Sequence, residues 1–142
     1  MKVFYLAHPI KGDNVRTTEE NLAHILVLQK LLLDAGIFAV APYWTFVHFL
    51  GSGHDFPNFQ DFLNADYECA RKIGRIILSG HKLSSGMRFE LTAVENEAGE
   101  IIDLVGIPDD EILPHLMFPG EKNETDDSIH RSGGSPHVDR LL

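Results

Sequence analysis

The chain has 142 residues, of which 44% are hydrophobic, and its formal net charge at pH 7 is −9. This length and apolar content suit one domain with one sizeable core, and we find no internal repeat. The negative charge and the scattered placement of the 12 Lys and Arg residues argue against a nucleic-acid binder, because phosphate backbones are bound by clustered cations. A small phosphate ligand is still allowed, since a few backbone amides and one cation can hold it.

Cysteine content and hydropathy indicate where the protein works. Cys69 is the only cysteine, which excludes an internal disulfide and all cysteine-rich zinc patterns and fits a reducing compartment. No apolar run has the length of a membrane span, and the amino terminus does not have the basic, apolar and small-residue order of a secretion signal. We therefore expect a soluble, cytoplasmic protein with no membrane partner.

The amino-terminal part predicts a strand followed by a helix. Lys2 to Ala7 is a short apolar run, and the segment from His8 to Asp13 has the composition of a loop that closes it. Thr17 and Glu20 have the spacing of a capping box, ahead of a helix that reaches Ala35 and is followed by glycine.

This first helix is apolar on nearly all sides. One stripe consists of Leu22, Ile25, Leu26, Leu32 and Leu33, and other sides carry Val27, Leu28 and Leu31. A helix of this kind is buried on more than one face, so either a later segment of the chain or a second subunit covers it. We favour the second subunit and expect a homodimer or a larger oligomer.

The rest of the chain alternates strands with helices. The predicted strands are Ile37 to Ala41, Arg75 to Leu78 and Ile101 to Val105, and the predicted helices are about Asn58 to Lys72, Gly86 to Ala98 and Asp109 to Leu116. This alternation predicts an α/β fold, a flavodoxin-like (Rossmann-like) three-layer sandwich with a four- to five-stranded parallel sheet. The domain is expected to cover residues 1–118. Residues 119–142 are almost free of apolar side chains and are expected to form a disordered tail.

The topology and the loop composition point to one crevice. In an open parallel sheet, ligands bind beyond the carboxyl ends of the strands, where the strand order reverses. For a flavodoxin-like order this point lies between the first and third strands. The loops that leave these strands, His8 to Asp13 and Ser79 to Gly86, are also the richest in Gly, Ser, Lys and His, as a phosphate or sugar pocket requires.

Two acidic residues stand near this crevice. Glu90 lies one turn into the helix that begins near Ser84, where the amides and the helix dipole can hold an anion. Taken alone, an acidic residue in the first turns of a surface helix is an ordinary helix-dipole feature, and Asp66 alone is an ordinary solvated helix residue. Two carboxylates that face one sugar, however, are the groups of glycosidic chemistry: one attacks or stabilises the sugar carbon and the other transfers protons.

From about Lys2 to Pro108, the chain resembles the nucleoside 2-deoxyribosyltransferase-like superfamily, which includes the deoxynucleoside 5′-monophosphate N-glycosidases. The family has a loop of small and basic residues after the first strand, an aspartate before the third strand, and a motif of Ser or Asp, Gly and Glu after it. Similar features here are Tyr5-Leu6-Ala7-His8-Pro9-Ile10-Lys11-Gly12, then Asp66, and then Ser84 with Glu90.

The resemblance implies the roles of the site residues. Glu90 is expected to be the nucleophile that forms a glycosyl-enzyme at C1′, and Asp66 to position the substrate and assist proton transfer to the departing base. The implied ligand is a small-molecule nucleoside or nucleotide, and neither a metal nor an organic cofactor is required. The implied substrate contacts are Tyr5, His8, Pro9, Ile10, Lys11, Gly12, Ser84, Ser85, Gly86 and Met87.

The same family comparison bears on the substrate. Serine at the position of Ser84 is typical of the monophosphate hydrolases, and Lys11 stands where they place a basic phosphate contact, which favours a nucleotide. Three features depart from the hydrolases. Pro9 replaces a serine, Gly74 replaces an aspartate, and no serine near Ile107 to Leu116 matches the one that the neighbouring subunit lends to the phosphate.

Aromatic and histidine residues give weaker signals. Tyr43 and Trp44 are possible base contacts, although aromatic residues after a buried strand more often belong to the core. The candidate histidines lack the close pairing of a metal-binding helix, and we expect most of them to be surface residues. These histidines are His8, His48, His54 and His81, of which the first and last follow the two site-bearing strands.

Two functions therefore stay open. The first is an enzyme that cleaves the N-glycosidic bond of a nucleoside or its 5′-monophosphate through Glu90 and passes the sugar to water or to another base. The second is a nucleotide-binding module that uses the same crevice without turnover, which the residues Pro9 and Gly74 favour. A phosphoryl-receiving switch would need an acidic cluster after the first strand, and His8-Pro9-Ile10 has none.

Overall fold

The computed structural model describes residues 1–43 and 59–117. In these ranges strands and helices alternate, and each end lies within two residues of its prediction. The elements are β1 (Lys2–Ala7), α1 (Thr18–Asp34), β2 (Ile37–Val40), α2 (Phe59–Ile73), β3 (Arg75–Leu78), α3 (Ser85–Asn96), β4 (Glu100–Asp103) and α4 (Asp109–Met117).

The four strands form a single parallel sheet in the order β2-β1-β3-β4. This arrangement confirms the predicted α/β flavodoxin-like class. Tyr5 is in register with Val40 on one side and with Ile76 on the other, so β1 lies inside the sheet. The chain moves outward from β1 to β2 and, in the opposite direction, from β3 to β4. The strand order therefore reverses between β1 and β3, where the crevice was expected.

The two faces of the sheet are covered by different helices. Because the β1-α1-β2 and β3-α3-β4 connections run in opposite directions, right-handed crossovers place α1 and α3 on opposite faces. Helix α2 packs against β1 and α3, and α1 contacts α4. Residues Phe4 to Ala7 of β1 are completely buried, which is why this strand is a continuous apolar run. Successive side chains of β1 point to alternate faces.

Helix α1 begins as predicted, but its buried face differs from the predicted stripe. Thr17 accepts a hydrogen bond from the amide of Glu20 at 3.1 Å, and Glu20 accepts one from the amide of Thr17 at 2.9 Å, which completes the capping box. The buried residues are Asn21, Ile25, Leu28 and Leu32, whereas Leu26, Val27 and Leu33 are exposed.

The prediction for this stripe was therefore wrong for Leu26 and Leu33, and it misplaced Leu28. The cause is the helical period. From Asn21 onward, the buried residues follow one another at steps of three or four, so they share the face that meets the sheet. The exposed apolar residues are those on which the expectation of a second subunit depends, and that expectation stays a prediction.

Helix α3 ends two residues earlier than predicted, and a glycine beyond its end is fixed by close packing. Ala98 has a left-handed backbone with φ of 52°, so the chain leaves the helix before Gly99. A Cβ atom on Gly99 would lie 2.3 Å from the carbonyl oxygen of Gly74 and 2.6 Å from Cγ1 of Val94. Gly74 itself has φ of 72°, a conformation that disfavours most other residues. This geometry gives a backbone reason for glycine at position 74.

Several predictions lie outside the described residues. These are the base contact at Trp44, the roles of His48 and His54, and the tail at 119–142. In the part of the chain that is described, no helix has the length and apolar character needed to cross a bilayer.

Substitution of Gly99 tests the close approach behind α3. Gly99→Ala places a methyl group against backbone atoms, so we expect the free energy of unfolding to fall by about 1–3 kcal/mol. Gly86→Ala is the control, because a Cβ there meets nothing within 4 Å and alanine favours the helix by about 0.5–1 kcal/mol. Urea denaturation measures both variants. Unchanged stability of Gly99→Ala would contradict the packing described here.

Candidate functional site

Three elements bring two acidic side chains to the same place beside the central strand. Glu90 of α3 and Asp66 of α2 are 8% and 5% exposed, so both are buried. The hydroxyl of Tyr5, on β1, donates a short hydrogen bond to Oε2 of Glu90. Burial raises the pKa of both Glu90 and Tyr5, and Asp66 is close enough for its charge to raise both further. The predicted pair of carboxylates is therefore brought together on the face of the sheet that α2 and α3 cover.

The sequence of α3 explains the burial of Glu90. Ser84 begins the helix, and its hydroxyl accepts a hydrogen bond from the amide of Met87 at 3.3 Å. The residues buried along α3 are Met87, Glu90, Ala93 and Val94, which recur at helical spacing. Glu90 thus lies within the apolar face of the helix.

The position of Asp66 follows from the packing of α2. Asp66 and Ala70 are buried one turn apart, so the carboxylate replaces an apolar residue on the sheet-facing side of the helix. The rings of Tyr67 and Phe89, which are the neighbours of the two acidic residues, lie 4.8 Å apart. This contact joins α2 and α3 next to the two acidic residues.

Burial dominates the electrostatics of the pair. Desolvation raises the pKa of Asp66 to about 7 and that of Glu90 to about 8. The hydrogen bond from Tyr5 lowers the pKa of Glu90, and the charge of Asp66 raises it. Two neighbouring carboxylates in a buried place titrate as one coupled system, because the first charge opposes the second. Near neutral pH the pair can therefore hold a proton, which an isolated exposed pair does not.

Tyr43 borders the same site but is bound to the main chain. It is buried, and its hydroxyl donates to the carbonyl oxygen of Leu6. Its ring centroid lies 6.0 Å from that of Tyr5. Burial and the charges of Glu90 and Asp66 raise the pKa of Tyr43, so it stays a neutral wall residue.

The loop after β1 is held by side chains from α1. The side-chain amide of Asn21 donates to the carbonyl oxygens of Ile10 at 3.2 Å and Lys11 at 3.4 Å. The amide of Gly12 donates to the hydroxyl of Thr18 at 3.0 Å. The side chain of Lys11 is exposed. The loop therefore has a fixed backbone with its cationic side chain in solvent.

Asp13 joins the two loops that border the crevice, a role that the sequence analysis missed. Its Oδ1 accepts from the amides of Val15 and Arg16 at 2.8 and 2.9 Å. Its Oδ2 lies 2.8 Å from both Nε2 of His81 and Nζ of Lys82. The contact with Lys82, followed by the other three hydrogen bonds, lowers the pKa of Asp13. The local turn is readable from an aspartate before two free amides, but its partners after β3 are set by the tertiary structure.

His8 and Pro9 were predicted to contact the substrate. In the structure they do not share a surface with the two carboxylates. The ring of His8 lies 2.8 Å from His24 of α1, so it points to the opposite face from Tyr5. Pro9 is buried, and a Cβ atom on Gly80 would lie 2.6 Å from its Cδ. Pro9 therefore serves the packing between the ends of β1 and β3.

The residues at the start of α3 divide between surface and core. Ser85 is exposed and Gly86 is half-buried, with open space beside its Cα. Met87, by contrast, is 1% exposed and belongs to the hydrophobic core. Among the described residues, no group of three or more His, Cys, Asp or Glu side chains is arranged to hold a metal ion.

Comparisons of the chain with protein-family models, with curated proteins and with solved structures gave no match. The fold and the geometry of the Tyr5, Asp66 and Glu90 site are the features of the molecule that bear on its function.

Substitution of Tyr5 tests the hydrogen bond to Glu90. Tyr5→Phe removes the donor that lowers the pKa of Glu90, so this pKa should rise by on the order of one pH unit. Tyr43→Phe is the matched control, because it removes a buried hydroxyl that donates to Leu6 instead. Carbon NMR of the carboxyl groups follows the titration. An equal change in the two variants would contradict a specific contact between Tyr5 and Glu90.

Proposed function

We propose that the protein cleaves the N-glycosidic bond of a nucleoside or of its 5′-monophosphate, with Glu90 as the nucleophile. The observation that carries this proposal is the convergence of Asp66 and Glu90, both buried, beside the hydroxyl of Tyr5. Buried acidic groups with raised pKa values are costly for folding and cluster at catalytic sites. The pair stands at the strands whose following loops form the expected ligand crevice.

In the first step, an oxygen of the Glu90 carboxylate attacks C1′ of the sugar as the bond from C1′ to the base nitrogen breaks. The electron pair of that bond leaves with the base, and the proton of Asp66 neutralises it. The buried pair holds a proton near neutral pH because burial raises the pKa of both groups, and the reaction uses the form in which Asp66 carries this proton and Glu90 is charged. Tyr5 suits its own role because its hydrogen bond stabilises the charged form of Glu90, which is the form that attacks.

In the second step, water attacks C1′ and the ester bond to Glu90 breaks. The Asp66 carboxylate accepts the proton from this water, which restores both acidic groups. A second base in place of water would give a transferase by the same exchange. The reaction as written needs only the substrate, water and these side chains.

The loops above the site supply groups for the polar end of the substrate. Lys11 is exposed on the loop after β1, and the first amides of α3 follow Ser84. A helix start and a lysine side chain each favour an anion, which supports a 5′-monophosphate over a free nucleoside. The lone Cys69 supports a reducing compartment, the cytoplasm, as the place of the reaction.

Replacement of the nucleophile tests the proposal. We expect Glu90→Gln to reduce release of free base by at least about a thousandfold, since an amide does not form the glycosyl ester. Glu97→Gln, at the exposed end of the same helix, is the matched control and should keep full activity. Chromatography of free base after incubation with a panel of nucleosides and 5′-monophosphates measures both.

Two results would contradict the enzyme proposal. If Glu90→Gln releases base at the rate of the unchanged protein, Glu90 is not the nucleophile. If the unchanged protein binds a nucleotide but releases no base from any member of the panel, the crevice belongs to a binding module.

A further inference from the structure

A second group of titratable side chains lies on the opposite face of the sheet from the carboxylates. At its centre is His24 of α1. Its Nδ1 lies 2.8 Å from Nε2 of His8 and 3.0 Å from Nη1 of Arg16. Its Nε2 lies 2.7 Å from Oδ1 of Asp109, at the start of α4. His24 thus contacts both ends of the loop between β1 and α1, at His8 and Arg16, and also the start of α4.

The hydrogen bonds of His8 fix which of its nitrogens accepts. Nδ1 of His8 lies 2.7 Å from the carbonyl oxygen of Pro9, and a carbonyl oxygen only accepts, so Nδ1 carries a hydrogen. Burial, the largest cause, lowers the pKa of His8 to about 4, so the ring is neutral near neutral pH. Nε2 of His8 is therefore an acceptor and needs a donor from His24.

Arg16 requires the opposite state of the same atom. A guanidinium only donates, so Arg16 needs Nδ1 of His24 to carry a lone pair. One ring nitrogen has either a hydrogen or a lone pair in the plane of the ring, and it cannot satisfy both neighbours together. Asp109 accepts from Nε2 of His24 in either case, so this contact does not decide between the two states.

We propose that His24 is a proton-operated switch that binds the loop after β1 in two alternative ways. In the imidazolium, Nδ1 donates to His8 and Nε2 donates to Asp109. In the neutral ring with its hydrogen on Nε2, Nδ1 accepts from Arg16, and His8 loses its donor. This device is independent of the proposed glycosidase activity, since none of its members belongs to the carboxylate site.

His24 is open to solvent protons through a crevice, and charged groups of both signs lie next to its ring. His24 borders an open crevice of about 520 Å³, lined also by Arg16, His81, Asp109 and Asp110. The charged groups that face the ring are Arg16, which repels the imidazolium, and Asp109, which attracts it, with the buried His8 on the third side. Asp110 and His81 line the same crevice as His24.

The direction of the switch follows from this hydrogen-bond count. When His24 is an imidazolium, its Nδ1 donates a hydrogen bond to Nε2 of His8. When the ring is neutral, this hydrogen bond is lost and one from Arg16 replaces it. His8 is the first residue after β1, and its Nε2 would lie 3.3 Å from a Cβ atom on Gly80. His8, in the loop after β1, therefore also lies next to Gly80 in the loop after β3.

Nitrogen NMR of the imidazole rings in the unaltered protein tests the switch directly. We expect Nδ1 of His24 to lose its hydrogen as pH rises, which leaves the tautomer with hydrogen on Nε2. His8 should stay neutral with hydrogen on Nδ1, and its Nε2 resonance should shift with the midpoint of His24. A neutral His24 with hydrogen on Nδ1, or a His8 resonance that ignores this midpoint, would overturn the proposal.

A pair of variants tests the competition from Arg16. Arg16→Met removes the donor that stabilises neutral His24, so Nδ1 of His24 should keep its hydrogen to a higher pH than in the unaltered protein. Lys30→Met removes the same charge from the exposed side of α1 and controls for net charge. An equal midpoint in the two variants would count against the switch. Nitrogen NMR of the unaltered protein tests the tautomer of His24 even if one of the variants does not fold.

Discussion

The burial of two carboxyl groups beside one tyrosine hydroxyl is the constraint on which the rest of this structure depends. Ionised carboxylates are expensive to remove from water, and two of them together cost more than either alone. Here Asp66 replaces an apolar residue on the sheet-facing side of α2, and Glu90 does so on α3. Only Tyr5 donates to Glu90 among the described side chains. The apolar contacts of both helices with the sheet must offset this cost, for which the proposed reaction at the pair would give a reason.

The central strand β1 organises two different chemistries because its side chains alternate between faces. Tyr5 points to α2 and α3, where the acidic groups lie. His8, three residues on, points to α1 and meets His24. Above both, Asp13 links the loop after β1 to His81 and Lys82 after β3. Residues in and just after β1 thus contact the buried acidic pair, the histidines His8 and His24, and the loop after β3.

Features set by local sequence could be predicted well. The run Lys2–Ala7 and the capping box at Thr17 need only their own neighbours, and the topology followed from the alternation of strands and helices. The meeting of Asp66 and Glu90 was also foreseeable, because helices that follow one another across a parallel sheet border the same strand ends. The resemblance to nucleoside 2-deoxyribosyltransferases pointed to the same two residues.

Features set by contacts between distant segments could not be predicted. The nitrogens of His24 meet partners 16 residues before and 85 residues after it in the chain, and no local pattern indicates these pairs. The face of α1 that meets the sheet depended on its rotation about the helix axis, which a helix apolar on all sides does not specify. The need for glycine at Gly99 arises from the carbonyl of Gly74, which only the folded chain brings near.

The pH dependence of stability tests the buried pair without knowledge of the substrate. Because the pKa of Glu90 is about 8 in the folded chain and near 4.3 in an unfolded one, the unfolded state ionises first, and rising pH lowers the stability of the unaltered protein. Glu90→Gln keeps an acceptor for Tyr5 but has no charge to bury, and Asp66→Asn removes the charge of the second acid. Asp61→Asn, on the exposed side of α2, is the matched control.

The measurement is the free energy of unfolding in urea between pH 5 and 9, compared between each variant and the unaltered protein. The stability advantage of Glu90→Gln should grow by on the order of 3 kcal/mol from pH 5 to 8 and then level off. Asp66→Asn should gain less, and over a range that ends near pH 7. Stability curves for Glu90→Gln and the unaltered protein that run parallel, as expected for Asp61→Asn, would contradict a buried pair that holds a proton.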